Sequence, residues 1–300
     1  MSGRPESLSI VLPARNEAQG LARVLPELAR YFPGAEILVV DDGSTDDTVK
    51  VCHAAGVHVV SHPYCLGNGA AIKSGARNAH GDLLIFMDAD GQHDPADVGR
   101  LLEKLQQGYE MAVGARVAET HASSARRVAN MLYNRLASIM TGYQIEDLTS
   151  GFRAVRARHF RKFLYLLPNG FSYPTTSTMA FFRSGLPVAY VSVRSQRREG
   201  QSKIRWLRDG VRFFVIILKI GALFSPMRLF LPVSAGLFGV GLLYYAYTYV
   251  TQGRFTNMGA VLILSSLFMF MMGILSEQVS SLHYRAADLD QRRTVPDAPE

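Results

Sequence analysis

Two long apolar stretches near the C-terminus constrain the fold of this chain more than any other feature. They read LFLPVSAGLFGVGLLYYAYTYV (residues 229–250) and MGAVLILSSLFMFMMGIL (258–275), and neither contains a charged residue. Each approaches the length of about 20 apolar residues that a helix needs to cross a bilayer. The short C-terminal part of the chain could not bury two such helices in a soluble core. We therefore expect two transmembrane helices within residues 227–281.

Basic residues flank this pair of stretches on its outer sides. Arginine and lysine are frequent before residue 229, and Arg285, Arg292 and Arg293 follow the second stretch, whereas the connector TQGRFTN carries a single arginine. Because positively charged flanks favour the cytoplasmic side, both ends are expected there. The N-terminus MSGRPESLSI does not resemble a secretory signal, which also favours a cytoplasmic first domain. Residues 282–300 are expected to form a disordered cytoplasmic tail.

Segment 203–226 has a different pattern from the two spans. At about 100° per residue, its basic side chains fall within a narrow arc and its large apolar side chains on the opposite side. The basic set is Arg205, Arg208, Arg212 and Lys219, and the apolar set is Trp206, Leu207, Phe213, Phe214, Ile217 and Leu218. This pattern is typical of an amphipathic helix in the membrane interface. Pro226 and Pro232 are expected to break the chain before and at the first span.

Residues 1–202 read as a soluble domain in which strands and helices alternate. Apolar runs predict strands at 7–14, 36–42, 57–63, 82–90 and 109–116, and helical spacing predicts helices at 17–31, 46–55, 69–79 and 95–107. This alternation predicts an α/β domain with a mostly parallel sheet. Ligands of such sheets bind beyond the carboxyl ends of the strands. The polar residues predicted at that edge are Asn16, Glu17, Asp41, Asp42, Asp88, Asp90 and Arg116.

The segment DLLIFMDADGQHDP (82–95) carries the strongest chemical signal. At the end of an extended strand, Asp88 and Asp90 would point to the same side and could hold one divalent cation, Mg²⁺ or Mn²⁺. A simple turn is the competing interpretation, because Asp, Gly and Pro also favour turns, and Asp94 is expected to cap the next helix. The position after an apolar strand of an α/β sheet favours the metal.

Two further segments give weaker signals. In VVDDGSTDDT, either Asp41 or Asp42 could accept hydrogen bonds from a base or ribose, whereas Asp46 is expected to cap a helix. In PARNE, Asn16 is a candidate contact to a base, and Glu17 either contacts a ligand or starts a helix.

A glycine-rich segment, GNGAAIKSGARNA (67–79), places Lys73 one turn into a helix whose N-terminus suits an anion. It matches neither GxxxxGK[ST] nor a complete GxGxxG, which disfavours NAD binding and ATP hydrolysis. The formal charge of +7 is concentrated in arginines at 126–127, 153–161 and 194–212, which favours lipid headgroups and phosphates over nucleic acid. Cys52 and Cys65 lack the spacing of a zinc site, and we interpret both as reduced thiols.

Taken together, LPARNE, VVDDGSTDDT, GNGAAIKSGARNAHGDLLIFMDADGQHDP, GAR and DLTSGFRAVRAR resemble, in this order, the family 2 inverting glycosyltransferases of GT-A fold. Within that family they are similar to the dolichol-phosphate mannose synthase-like enzymes, over roughly residues 7–205. The resemblance implies metal-dependent transfer of a sugar from a nucleotide sugar to a polyprenyl phosphate, with inversion. GDP-mannose is the favoured donor and a UDP-sugar the alternative. A membrane and the lipid acceptor are the expected partners, and the protein could also form a homo-oligomer.

The resemblance and the residue patterns together assign the site residues. The nucleotide-sugar pocket would be lined by Pro13, Ala14, Asn16, Glu17, Asp41, Asp42, Lys73, Asp88 and Ala89. The metal would be held by Asp88, Asp90 and Gln92. The acceptor or its phosphate would be bound by Arg127, Ser150, Arg153, Arg197 and Lys203, the last two in a stretch similar to the family's RxxGxSK. The catalytic set would be Asp90, Asp147, Arg116 and Arg127, with the arginines facing the donor or the acceptor phosphate.

The expected acceptor determines the expected mechanism. A phosphate monoester has a second pKa of about 6, so it is already an anionic nucleophile near neutral pH. Asp147 is then expected to orient groups rather than to abstract a proton. QSKIRW has one residue too many for the QxxRW motif of processive synthases, which disfavours polymer synthesis. A transporter or a non-catalytic scaffold are the rival classes, disfavoured by the uncharged spans and by the retained acidic and basic residues.

Overall fold

The computed structural model describes residues 6–116, 124–170, 172–193, 221–222, 225–254 and 256–294. Contacts divide the chain into two compact units, one comprising Met1–Leu136 and Tyr143–Ile204, the other Ala137–Gly142 and Arg205–Glu300. The expected interfacial helix at 203–226 lies almost entirely outside the described residues.

The first unit is built on a seven-stranded sheet. Its strands are β1 (Leu8–Ala14), β2 (Glu36–Asp41), β3 (His58–Ser61), β4 (Leu83–Phe86), β5 (Met111–Arg116), β6 (Arg153–Arg156) and β7 (Val188–Val193). The strand order is β3-β2-β1-β4-β6-β5-β7. Only β6 runs antiparallel to its neighbours β4 and β5, and the other pairs are parallel. The predicted α/β class with a mostly parallel sheet is confirmed.

Helices connect these strands within the described residues. They are α1 (Ala18–Tyr31), α2 (Thr48–Ala54), α3 (Asn68–Asn78), α4 (Ala96–Gln106), α5 (Ser124–Thr141), α6 (Ala157–Lys162) and α7 (Tyr173–Arg183), with a short 3₁₀ helix at Leu164–Leu166. The first four lie where helical spacing predicted them. The fourth predicted strand, 82–90, is too long, because β4 ends at Phe86 and the chain then turns.

The core forms because apolar stripes of the helices cover the buried strands. Leu21, Leu25 and Leu28 recur at helical spacing on α1 and pack with Ile10 and Leu12 of β1. On α4, the buried side chains are Val98, Leu101 and Leu105. All four residues of β4 are buried, as expected of a central strand in a mostly parallel sheet. The packed helices hold the sheet in place, and loops lie at its carboxyl edge.

The second unit contains two long apolar helices, α8 (Pro226–Gln252) and α9 (Asn257–Thr294). Pro226–Gln252 and Asn257–Leu282 are long and apolar enough to cross a membrane. Gly241 lies against Leu262 and Ile263, and Ser234 Oγ donates to the Ser266 carbonyl at 2.8 Å. Small residues and interhelical hydrogen bonds of this kind are typical of helix pairs in bilayers.

Two expectations about these helices are wrong. Pro232 lies inside α8 and does not end it. A proline in an apolar helix removes one backbone hydrogen bond, and packing against a neighbouring helix tolerates that loss. The tail expected to be disordered from residue 282 is instead helical as far as Thr294.

Candidate active site

Asp88 and Asp90 lie in the turn that follows β4, at the carboxyl edge of the sheet. Gly91 adopts φ +75°, and Asp90 Oδ1 accepts a hydrogen bond from the Gln92 amide at 3.1 Å. The turn interpretation and the metal interpretation are therefore compatible, since one turn carries both carboxylates. Burial lowers the pKa of His93, and the opposing effect of the negative charges of Asp88 and Asp90 does not offset it.

Helix α1 packs directly against this turn at Gly20. A Cβ on Gly20 would lie 2.3 Å from the Ala89 carbonyl oxygen and 3.1 Å from Asp90 Cα. Real Cβ atoms do not approach backbone atoms so closely, so only glycine lets α1 reach the turn. Ala89 itself is buried in the core. Gly20 was not among the predicted site residues.

The donor atoms of the turn suit a hard divalent cation. No group of three or more His, Cys, Asp or Glu side chains that could enclose a metal exists among the described residues. Two carboxylates with a neighbouring amide side chain match a cation that keeps positions for water and phosphate oxygens. A Cβ on Gly151 would lie 3.5 Å from Asp88 Oδ2, so glycine leaves space beside this carboxylate. The residues present therefore fit Mg²⁺ or Mn²⁺.

Arg116 and Asp147 form a bidentate ion pair at the same edge. Arg116 Nε donates to Asp147 Oδ2 at 2.8 Å and Nη2 donates to Oδ1 at 3.0 Å. Nη2 also donates to Thr149 Oγ1 at 2.5 Å. Burial opposes ionisation of Asp147, but the hydrogen bonds and charge of Arg116 outweigh it and lower the pKa of this carboxyl group. The pair fixes the half-exposed guanidinium beside the acidic turn.

The direction of β6 explains why segment 147–152 belongs to the site. Because β6 is antiparallel, its start lies at the edge where the parallel strands end. Phe152 stacks on His93 with ring centroids 4.7 Å apart, and Tyr173 donates to the Gly151 carbonyl at 3.0 Å. His93 Nδ1 and Ser150 Oγ are buried without a hydrogen-bond partner among the described residues. His93 and Phe152 were not among the predicted site residues, although His93 follows Gln92 in the acidic motif.

Arg153 was expected to bind the acceptor phosphate, and the structure contradicts this. The side chain is completely buried. Its Nη1 donates to the Pro174 carbonyl at 3.0 Å and to Ser177 Oγ at 2.7 Å, and Nη2 donates to the Ser150 carbonyl. The guanidinium lies 5.5 Å from the centre of the Tyr173 ring. Arg153 therefore ties α7 to the start of β6 from inside the core.

Asp42 was expected to contact the nucleotide sugar, but protein groups occupy both of its oxygens. Oδ1 binds His62 Nδ1 at 2.8 Å and the Leu66 amide at 2.8 Å, and Oδ2 accepts from the Gly67 amide at 2.9 Å and from Cys65 Sγ at 3.1 Å. Burial opposes its ionisation, but these hydrogen bonds prevail and lower its pKa. Asp42 thus organises the loop before α3.

The N-terminus of α3 is not the open anion site that the glycine-rich segment suggested. The amides of Gly69 and Ala70 donate to the carbonyls of Gly170 and Asn169 at 3.1 and 2.9 Å. Lys73 Nζ donates to the Leu167 carbonyl at 3.2 Å and to the Asn169 side chain. Backbone carbonyls therefore occupy the helix N-terminus at which a phosphate was expected. The glycines have no side chain there, which allows the two loops to approach each other closely.

The remaining predicted pocket residues gather at the ends of β1 and β2. Pro13 and Ala14 end β1, and Asn16 adopts a left-handed φ of +56°. Asn16 Oδ1 accepts from the Thr45 amide at 2.8 Å, and Asp41 Oδ1 accepts from the Ser44 amide at 3.0 Å. The Glu17 amide donates to Thr48 Oγ1 at 3.0 Å. The Arg127 side chain, Arg197 and Lys203 lie outside the described residues.

Comparison with known proteins matches two parts of the chain to family models. Residues 9–164 match the model described as "Glycosyl transferase family 2", and residues 225–282 match "GtrB C-terminal hairpin". The chain is 28% identical over 292 residues to glycosyltransferase AglJ of Haloferax volcanii, covering 93% of this chain and 95% of that protein. It is 29% identical over 310 residues to undecaprenyl-phosphate 4-deoxy-4-formamido-L-arabinose transferase of Pseudomonas aeruginosa, covering 92% and 86%.

A solved structure shares the fold of the sheet unit. Glucosyl-3-phosphoglycerate synthase from Mycobacterium tuberculosis, in complex with Mn²⁺ and UDP-glucose, superposes with a TM-score of 0.59 at 23% identity. The superposition covers 72% of this chain and 79% of that one.

Proposed function

The chain belongs to glycosyl transferase family 2, and we propose that it transfers a sugar from a nucleotide sugar to a polyprenyl phosphate at a membrane surface. One observation carries this proposal. The similarity to a transferase whose name specifies undecaprenyl phosphate covers 92% of the chain and therefore includes both the sheet unit and the apolar helix pair. A lipid-linked acceptor accounts for both parts, because its phosphate is polar and its polyprenyl chain needs a bilayer.

The acidic turn is the proposed donor site. Asp88, Asp90 and Gln92 would hold Mg²⁺ or Mn²⁺, which when bound neutralises charge on the leaving diphosphate. Pro13, Asn16, Glu17 and Asp41 are the proposed contacts of the nucleoside, on the adjacent strand ends. Both sets lie at one edge of the sheet, so diphosphate and nucleoside could be bound together.

Arg116 is proposed to stabilise phosphate charge during transfer. Nε and Nη2 are committed to Asp147, so the guanidinium keeps a fixed direction and needs little reorganisation when charge develops. The lowered pKa of Asp147 makes it a weak base. This suits an acceptor phosphate that is already ionised and needs no base. In-line attack by a phosphate oxygen at the anomeric carbon inverts its configuration.

We also propose which residues bind the acceptor phosphate and which nucleotide sugar is the donor. Arg127, Ser150, Arg197 and Lys203 are the proposed contacts of the acceptor phosphate. GDP-mannose is the first donor to test, because the motifs resemble mannose synthases. A UDP-sugar is the alternative, and the solved structures that contain UDP-glucose make it a necessary comparison.

We propose the same organisation along the chain as the sequence suggests. Residues 1–202 carry the transfer site, 203–226 form a helix in the membrane interface, and the helix pair within 227–281 anchors the protein. The transfer domain and both termini are proposed to face the cytoplasm.

A matched pair of substitutions tests the proposed role of the acidic turn. Asp90→Asn should lower sugar transfer by about 10²- to 10³-fold, the scale for loss of one preorganised charge-stabilising group. Membrane insertion should be unchanged. Asp94→Asn is the control, because Asp94 Oδ1 accepts a hydrogen bond from the Ala96 amide at 2.9 Å, at the start of α4, and asparagine keeps an acceptor there. Equal transfer by both variants would refute the role of Asp90.

A further inference from the structure

Asn134 on α5 holds the backbone on both sides of Asp147. Its Nδ2 donates to the Glu146 carbonyl at 2.6 Å, and its Oδ1 accepts from the Leu148 amide at 3.2 Å. One side-chain amide thus binds a carbonyl and an N–H that flank a single residue, as a neighbouring strand would. The partner segment is itself well packed, because Ile145 and Leu148 are buried. The two hydrogen bonds therefore restrict where the Asp147 carboxylate can point.

The Asp147 carboxylate in turn binds the guanidinium of Arg116. Its carboxylate receives two hydrogen bonds from the guanidinium and one from the Thr149 amide at 3.0 Å. The Arg116 backbone amide also approaches Asp147 Oδ2 at 3.4 Å. The direction of the guanidinium thus depends on the position of Asp147, and the position of Asp147 depends on Asn134.

We propose that Asn134 is a positioning residue of the transferase, acting through Asp147 to aim Arg116 at the phosphate charge. This inference rests on the function proposed above. Only an amide side chain offers a donor and an acceptor at the spacing that the segment requires. Asparagine is otherwise a poor choice in a helix interior, where alanine is intrinsically favoured. Its presence in the middle of α5 is explained by these two contacts.

The neighbouring residue on the helix supplies a matched control. Tyr133 lies one position earlier on α5, and its hydroxyl is hydrogen-bonded to Thr175 Oγ1 of α7 at 3.1 Å. Tyr133→Phe removes this hydrogen bond from the same helix and keeps the two hydrogen bonds of Asn134 to segment 146–148. It should keep the turnover number within about twofold of wild type, since a single hydrogen bond contributes mainly to stability.

The test is a double-mutant cycle between Asn134→Ala and Asp147→Asn, measured on the full-length protein in detergent. Asn134→Ala should lower kcat, corrected for the folded fraction, by about 10- to 100-fold, because small misplacements of a catalytic group have effects of this size. KM for the donor should change less than kcat. In the Asp147→Asn background the same substitution should cost no more than about twofold, because coupled residues are not additive.

Several outcomes would overturn the proposal. Unchanged kcat in Asn134→Ala, or effects of the two substitutions that multiply in the double variant, would show that Asn134 does not act through Asp147. Asn134→Asp, which keeps the acceptor for Leu148 and loses the donor to Glu146, replaces the alanine variant if the latter does not fold. Like Asn134→Ala, it should lower kcat in the wild-type background and cost no more than about twofold in the Asp147→Asn background.

A second cycle on thermal unfolding midpoints separates this inference from the proposed function. It measures coupling between Asn134 and Asp147 without any substrate, and the expected result is a shift in the double variant smaller than the sum of the single shifts. Wild-type protein that labels no lipid would overturn the proposed function. Additive unfolding shifts would overturn the positioning role, whatever the substrate proves to be.

Discussion

Asp147 is ionised in the folded protein because Arg116 holds it, and this makes stability depend on pH. Its pKa is lowered relative to an ordinary carboxyl group. Its contribution to stability is therefore complete above the unfolded pKa of about 3.9 and is lost as the pH falls through the lower, folded value. Asp147→Asn removes this contribution at every pH.

We expect the thermal midpoints of wild type and Asp147→Asn to converge as the pH falls below about 4. Circular dichroism at 222 nm in detergent, followed from about pH 3 to 7, measures both midpoints. Wild type should be the more stable above about pH 5, by a constant margin. A difference that stays constant down to about pH 3 would show that the Arg116 pair does not lower the pKa of Asp147.

Residues at strand ends could be identified from the sequence, but their roles depended on tertiary contacts. Asp88, Asp90 and Arg116 were correctly placed at the carboxyl edge, because apolar strands end in polar residues there. Asp41 and Asp42 are adjacent, and the sequence could not show that the loop 62–67 surrounds Asp42. Arg153 follows a motif of small polar residues and looked like a phosphate ligand, whereas its Nη1 binds Pro174 and Ser177 on α7, more than 20 residues later.

At the scale of elements, the contact between α1 and the acidic turn gives a sharp prediction. Gly20→Ala adds a Cβ 2.3 Å from the Ala89 carbonyl, so α1 or the turn must move. Forcing an extra carbon into a packed site costs about 1–3 kcal/mol. Transfer activity should fall as well, because the displaced turn carries Asp88 and Asp90.

Gly99→Ala on α4 is the control for this change. A Cβ at Gly99 meets nothing within 4 Å, so the same substitution should stabilise the helix by about 0.5–1 kcal/mol. Thermal midpoints and transfer rates of the two variants, measured side by side, test the contact. A Gly20→Ala protein as stable and active as Gly99→Ala would contradict it.

Periodicity located the first five strands and four helices, and it failed where the pattern was weak. The strand β6 reads RAVR, with two arginines in four residues, and no apolar run marks it. Its antiparallel pairing between β4 and β5 brings segment 147–152 to the site, and no local signal encodes that pairing. The helix α7 is buried along nearly its whole length although it contains many hydroxyl residues. Its hydroxyls bind Arg153 and its own backbone, which hydropathy does not reveal.

At the scale of the whole molecule, the proposed topology places the first domain and the helix connector on opposite sides of the membrane. Two free cysteines make this testable. Cys65 is exposed, whereas Cys52 is buried, and burial, with the nearby charge of Asp41, raises the pKa of its thiol to about 11. A thiol with so high a pKa reacts slowly. Cys65 is therefore the natural reporter for the first domain.

A membrane-impermeant maleimide should label Cys65 only after the cytoplasmic face is opened. In a Cys65→Ser background, Gln252→Cys, at the exposed end of α8, should be labelled from outside intact cells. Serine keeps a donor toward Asp42, so the background variant should fold. Labelling of Cys65 from outside intact cells would show that the proposed orientation is wrong.

Transfer of labelled sugar to a lipid by the purified protein tests whether the acceptor is a polyprenyl phosphate. The protein in detergent is incubated with polyprenyl phosphate and a panel of labelled GDP- and UDP-sugars, with and without Mn²⁺ or Mg²⁺. We predict that one donor labels the lipid, that labelling requires the cation, and that omission of polyprenyl phosphate abolishes it. If a nucleotide sugar binds but none in the panel labels the lipid, the assignment of a polyprenyl phosphate acceptor is wrong.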